Sequence, residues 1–266
     1  MTIITTIVSG SKGGTGKTTI AVNTATLAAY RLRGSSPYPV VLLDLGVDNG
    51  SASKVLLGSL TKVNYTISDY LTGKINSPLY ALYLKSWVIN NDEMRLVFSV
   101  PGSIVEGLPL FKLRYIVRVI TEYLKPIMLV IDTPSVGFTR QFLEPVISES
   151  THVIPVTTVD HSSIESLSSI VSFIKGIKSD LTILPPVLNM FDYKYPVDPT
   201  TGKEWVKVVE EIIGIKPYTI AYDRLLYITR QAMDVEVLKL SPSESPALRD
   251  IIKYFNDVVW PLTANR

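Results

Sequence analysis

Ser11-Lys12-Gly13-Gly14-Thr15-Gly16-Lys17-Thr18-Thr19 follows directly on the apolar run Ile3–Val8, and this junction decides the fold. A strand that ends in a glycine-rich turn and opens into a helix lines up backbone N–H groups at a helix N-terminus. That arrangement suits a polyphosphate. Gly13, Gly14 and Gly16 permit the turn, and Thr15 and Thr19 complete the loop. Lys17 is placed to reach the β/γ-phosphates, and the Thr18 hydroxyl to complete the shell of a magnesium ion. The expectation is a nucleoside triphosphate site.

Position 11 is serine where the general phosphate-loop pattern asks for glycine. The stretch from Lys12 through two glycines to Gly16-Lys17-Thr18-Thr19 instead resembles the variant loop of the ParA/MinD family, the partitioning and positioning ATPases. The resemblance implies a P-loop fold with ATP and Mg2+ as cofactors. It also implies an ATP-dependent homodimer in which Lys12 crosses to the phosphates bound by the other subunit, so that both Lys12 and Lys17 act in catalysis.

The chain has 266 residues, of which 46% are hydrophobic, enough for one large α/β domain with a real core. Short apolar runs alternate with helical patterns from end to end. This predicts a doubly wound, mainly parallel sheet flanked by helices, in a single domain spanning 1–266. Runs at 39–44, 95–100, 127–132, 152–157 and 181–188 are expected as buried strands. Lys17–Leu32 and the segments 110–124, 140–148 and 162–177 carry apolar residues at helical spacing. Residues 192–203 hold two prolines and a Thr-Gly turn, and are expected as a surface excursion or hairpin. The apolar stripe at 248–260 is expected to pack on the body, since its charges cancel.

No apolar run approaches the ~18 residues of a membrane span, and the first residues lack the layout of a signal peptide. A cytoplasmic protein is expected. There is no cysteine, which excludes thiolate chemistry and thiolate-held clusters, the property of several relatives that share the variant loop. With 26 basic against 24 acidic residues, any nucleic-acid contact must come from a local patch.

Val130-Ile131-Asp132-Thr133-Pro134 ends an apolar run in a carboxylate, where nucleotide hydrolases hold a magnesium-bound water. It resembles the family's second switch, continuing through 135–140. The segment 41–48 resembles the first switch, a strand ending in Asp-x-Asp. Asp44 fits the first acid, with roles toward both metal and catalysis, but Gly46 occupies the second position and has no side chain to orient water. Asp48, two residues on, is the candidate substitute, and hydrolysis is expected to be slow. Asn189 resembles the family's strand-end adenine-binding asparagine, and Pro217 the proline that flanks the base. His152 and His161 show no metal spacing and no nucleophile partner.

Along 110–125, Lys112, Arg114, Arg118 and Lys125 offer a basic face that a dimer would double, which makes it the candidate surface for nonspecific DNA. The resemblance thus implies a ParA-like switch that meets DNA and a DNA-bound partner protein. The alternative is a weakly hydrolysing MinD/TadZ-like scaffold that meets a machine-bound partner at a surface or secretion apparatus; Gly46 favours this alternative.

Overall fold

The structure is a computed structural model that describes residues 2–10, 13–46, 51–58, 62–103, 107–134 and 139–265. Lys12, Asp48 and the second-switch residues 135–138 lie outside the described residues.

The chain runs β1 (Ile3–Val8), α1 (Lys17–Leu32), β2 (Val40–Asp44), α2 (Ser51–Leu57), α3 (Ile67–Leu71), β3 (Leu82–Ile89), β4 (Asp92–Ser99), α4 (Leu113–Leu124) and β5 (Met128–Asp132). It continues through α5 (Thr139–Ile147), β6 (His152–Thr158), α6 (His161–Ile177), β7 (Thr182–Ile183), β8 (Val187–Phe191), α7 (Trp205–Ile213) and β9 (Tyr218–Ala221). Then come α8 (Arg224–Gln231), α9 (Glu236–Lys239) and α10 (Pro246–Tyr254), followed by a π-helical segment, Phe255–Val259, and a 3₁₀ segment, Trp260–Asn265.

Among the described residues nine strands join one sheet in the order β3-β4-β2-β5-β1-β6-β8-β9, with β7 beside β6. Every pairing is parallel except the β3–β4 hairpin at one edge. The central strands are buried on both faces, so β1, β2 and β5 are continuous apolar runs rather than alternating ones. On one face α1 and α10 pack over Ile7, Leu42, Val130 and Ile154; the other face is shared by two clusters. One lies under α4 and Phe142, and the second under α6 and α7. The stripe at 248–260 packs on the body through Leu248, Ile251, Tyr254, Phe255 and Val259, each at most 2% exposed.

Strand order reverses around β1: β2 and β5 lie to one side of it, β6 and β8 to the other. Such a switch point opens a crevice at the C-terminal ends of the strands, where open α/β sheets bind ligands. Ser9 and Gly10 leave β1 at that end of the sheet, and Gly16 leads into α1 there.

Two sequence expectations need correction. The run 181–188 is two strands, β7 and β8, because Pro185 and Pro186 lack the N–H a continuous ladder requires. The run at 95–100 is the second arm of a hairpin whose first arm, β3, has one exposed face with Leu84 and Val88 60% and 76% exposed. Asn90 and Asn91, both at positive φ, make the tight turn between the arms. The expected excursion 192–203 contains one antiparallel bridge, Val197 to Glu204, and is pinned by Asp198. That carboxylate accepts from Thr200 N and Thr201 N and meets His161 Nε2 at 3.0 Å.

Candidate functional site

The loop is shaped by glycine where the backbone demands it. Gly16 caps α1 at φ 95°, a left-handed conformation, and a Cβ there would stand 2.0 Å from Asn189 Nδ2. That space lets Asn189, 8% exposed on β8, donate from Nδ2 to Thr15 O at 2.9 Å. Asn189 is therefore brought to the loop, against the turn between β1 and α1. The bond itself was not legible from sequence, since 174 residues separate its ends.

Lys17 opens α1 and is 5% exposed; its Nζ donates to Ser9 Oγ at 2.8 Å. Burial lowers its pKa to about 8, with nearby Asp132 acting in the opposite direction. Asp44 and Asp132 end β2 and β5 and are register partners, so adjacent strands place the two carboxyl groups side by side on the α1 face. Asp44 is fully buried: Oδ1 accepts from Gly46 N at 2.9 Å and Oδ2 from Ser53 N at 2.8 Å. Burial raises its pKa against those bonds. Asp132 is pushed up to about 7, first by burial and then by Asp44, while Lys17 and the Thr18 hydroxyl pull it down.

Two buried oxygens in this cluster, Asp132 Oδ1 and Thr15 Oγ1, have no hydrogen-bond partner. Orphaned polar atoms beside a desolvated ammonium fit a ligand rather than a sealed core. The donor set fits a magnesium polyphosphate. Among the described residues no group of three or more His, Asp or Glu could hold a metal alone, and Mg2+ ordinarily takes one or two carboxylates together with substrate phosphates. Gly13 and Gly14 are exposed at the lip of the loop, and Thr18 and Thr19 begin the helix behind it.

A family model, the CobQ/CobB/MinD/ParA nucleotide binding domain, matches residues 6–216. The chain belongs to that family. Nucleotide binding follows from the family. Among solved structures, the septum site-determining protein MinD of Pyrococcus horikoshii OT3, complexed with Mg-ADP, is 22% identical at TM-score 0.75. The match covers 97% of this chain and 96% of that one. The cell division ATPase MinD of Pyrococcus furiosus is 23% identical at 0.73, over 96% and 98%. A plasmid partition protein of Borrelia burgdorferi B31, bound to AMPPNP, is 18% identical at 0.67, over 96% and 99%. No curated protein matches the chain. These likenesses confirm the mostly parallel, helix-flanked P-loop architecture of the family.

Other expected residues are not brought to the loop. Pro217 precedes β9, which runs parallel to β8, so it sits at the end of the sheet opposite the phosphate crevice. The end of β9 that faces the loop carries Tyr222 and Asp223 instead. The basic residues around α4 form a separate surface. There Arg114 Nε and Arg118 Nη2 both reach Glu149 Oε1, at 3.2 and 2.8 Å. Lys112 Nζ donates to Leu71 O at 3.2 Å, and Lys125 closes the helix at φ 47°.

Sequence reasoning missed a buried polar chain beside the site. Asn23 on α1 donates to Glu236 Oε2 at 3.0 Å and accepts from Val237 N at 3.0 Å. Glu236, wholly buried, faces Arg230 Nη1 at 3.7 Å. Only a charged residue inside an apolar helical pattern hints at it, and over 200 residues separate Asn23 from its partners.

The raised pKa of Asp132 sets a pH dependence. Its carboxyl is far easier to ionise in the unfolded chain than in the fold, so its protonation favours the fold fully below about pH 4, and that advantage disappears as pH rises through about 7. Asp132→Asn removes the ionisation. In the nucleotide-free protein, the stability gain of Asp132→Asn over wild type is expected to grow from pH 5 to pH 8, as measured by urea unfolding; a gain that is flat or shrinking with pH contradicts the shift.

Proposed function

We propose that this protein is an Mg-ATP-dependent switch that dimerises around its nucleotide and acts through partners. One observation carries the reading: Lys17, Asp44 and Asp132 are buried together at the phosphate loop, with Asp132 Oδ1 unpartnered. In this reading Lys17 binds the β/γ-phosphates and Thr18 and Asp132 hold the metal. Asp44 is tied to the metal shell, Asn189 sits toward the adenine, and Lys12 reaches the partner subunit's nucleotide.

Positioning of water is most of what such a site contributes to phosphoryl transfer, and Gly46 contributes only a backbone N–H, to Asp44. That supports the slow or non-hydrolysing scaffold, a protein whose output is assembly on a partner protein. DNA contact through Lys112, Arg114, Arg118 and Lys125 is a second reading. Glu149 offsets part of that charge, but exposed pairs of this kind contribute only about 0–1 kcal/mol and can yield to phosphates.

Lys17→Ala is expected to abolish Mg-ATP binding in calorimetry, whereas Lys12→Ala should bind ATP yet stay monomeric by light scattering. A Lys12→Ala protein that dimerises normally with ATP removes the shared-lysine dimer. Turnover is expected to fall well below the ~1 per second common among enzymes. Gly46→Asp should raise it if position 46 is the vacant one, and Asp48→Ala should abolish the remainder if Asp48 has taken over; brisk hydrolysis indifferent to both contradicts this account. Nonspecific duplex DNA should bind only with ATP, weaken steeply with salt, and be lost in Arg114→Glu with Arg118→Glu. Absence of wild-type binding at low salt leaves the scaffold.

A further inference from the structure

Helix α8 brings one more charge toward the phosphate end of the sheet. Arg230 is 15% exposed at its side chain, and its Nη1 and Nη2 are both buried without a hydrogen-bond partner. Its nearest acid is Glu236, with Nη1 3.7 Å from Oε1, an ion pair too long for a hydrogen bond; Glu236 Oε1 is itself unpartnered. The other carboxylate oxygen is held by Asn23 Nδ2, and the Asn23 carbonyl oxygen in turn takes Val237 N. Asn23 also donates to Thr19 O at 2.8 Å, inside the first turns of the phosphate-loop helix. A continuous series of contacts therefore fixes Glu236, and through it Arg230, against the helix that begins at Lys17.

The direction in which Arg230 acts can be read from the sheet. Helix α8 starts just past the C-terminal end of β9, at the same end of the sheet where Asp44 and Asp132 close β2 and β5, and Asn23 ties Glu236 to Thr19 O in the first turn of α1. Strands β2 and β5 flank β1 on the side away from Asn189 and β8. Arg230 is thus held beside the first turn of the phosphate-loop helix, at the end of the sheet where Asp132 and Thr18 would hold a metal and the terminal phosphate of a bound triphosphate would lie. A guanidinium presents a rigid fork of N–H donors matched to phosphate oxygens. This one is desolvated, anchored by an acid that leaves both outer nitrogens free, and linked through that acid and Asn23 to the first turn of the phosphate-loop helix. Charge compensation of Glu236 alone would leave neither Nη nor Oε1 unsatisfied.

We propose that Arg230 is a triphosphate-reading residue, donating in cis to the terminal phosphate of the bound nucleotide, with Glu236 and Asn23 as its positioning residues. The proposal rests on the nucleotide reading above and deepens it: the site would distinguish nucleoside triphosphate from diphosphate through α8, an element outside both switch segments.

The test is calorimetry with Mg-AMPPNP and Mg-ADP on wild type, Arg230→Gln and Arg230→Lys, with circular dichroism to confirm folding. Arg230→Gln is expected to weaken AMPPNP by roughly 10- to 100-fold, the scale of a charge-assisted hydrogen bond, and ADP by less than about threefold. Arg230→Lys, which keeps the charge and loses the fork, should fall between. Equal losses for both nucleotides, or no loss for either, overturn the proposal and leave Arg230 as structural compensation for Glu236. Should Arg230→Gln not fold, Arg230→Lys decides alone: an AMPPNP-to-ADP ratio equal to wild type overturns the proposal. Failure of wild type to bind either nucleotide, with Lys17→Ala no different, would instead sink the nucleotide reading itself.

Discussion

Burial of Lys17 beside two carboxyl groups is the constraint on which the rest of this structure depends. An ammonium at 5% exposure has lost most of its hydration, and it is held at this position by the turn from β1 into α1 and by Ser9. Burial first, and the neighbouring carboxyl of Asp44 second, push Asp132 up to about 7. A buried charge left without a good partner is costly, and the protein tolerates several here at once. Such an arrangement is stable only on a rigid frame, and the frame is the parallel sheet with its strands buried on both faces. The ligand that would complete the set carries both signs of charge, anionic oxygens for Lys17 and a divalent cation for the acids.

That requirement also explains how much of the fold could be read from the chain. The phosphate loop, α1, β2, β5 and β6 were legible because each depends on signals within a few residues: apolar runs closed by an acid or a turn, and glycine before Lys17. The acids Asp44 and Asp132 were legible for the same reason, being strand-terminal carboxylates. What escaped was governed by distant packing. Strand β3 is an edge strand with an exposed apolar face, so its pattern resembles neither a buried strand nor a surface helix. The split between β7 and β8 turns on two prolines that sit inside an otherwise convincing apolar run.

The site residues divide along the same line. Pro217 resembled a base-flanking proline by its order in the sequence, yet order along the chain does not fix which end of a strand a residue occupies. β9 begins at Tyr218, and a parallel strand that begins there carries its preceding residue away from the loop. The polar series from Asn23 to Glu236 and Arg230 was invisible for a different reason: Arg230 in α8 and Glu236 in α9 look like parts of a solvated face until α9 packs on α1 and α8 on α9.

The distribution of charge bears on how a switch of this kind would work. Gly46 provides no side chain to hold water, while Asp44 is occupied by two backbone N–H groups and fully buried, so it is poorly placed to act as a mobile base. The first-switch strand end is thus built to be held still. Among the buried groups with unspent hydrogen-bonding capacity are instead Asp132 Oδ1, Thr15 Oγ1 and the guanidinium of Arg230, one on each of three elements: β5, the loop and α8. A ligand that satisfies all three at once would tie those elements together, and the coupling energy would go into a change of shape or association rather than into bond cleavage. A ligand can shift such an equilibrium only by its differential affinity for the two states, and on the proposed role of Arg230 that difference would lie in contacts that a diphosphate, lacking the terminal group, leaves unmade.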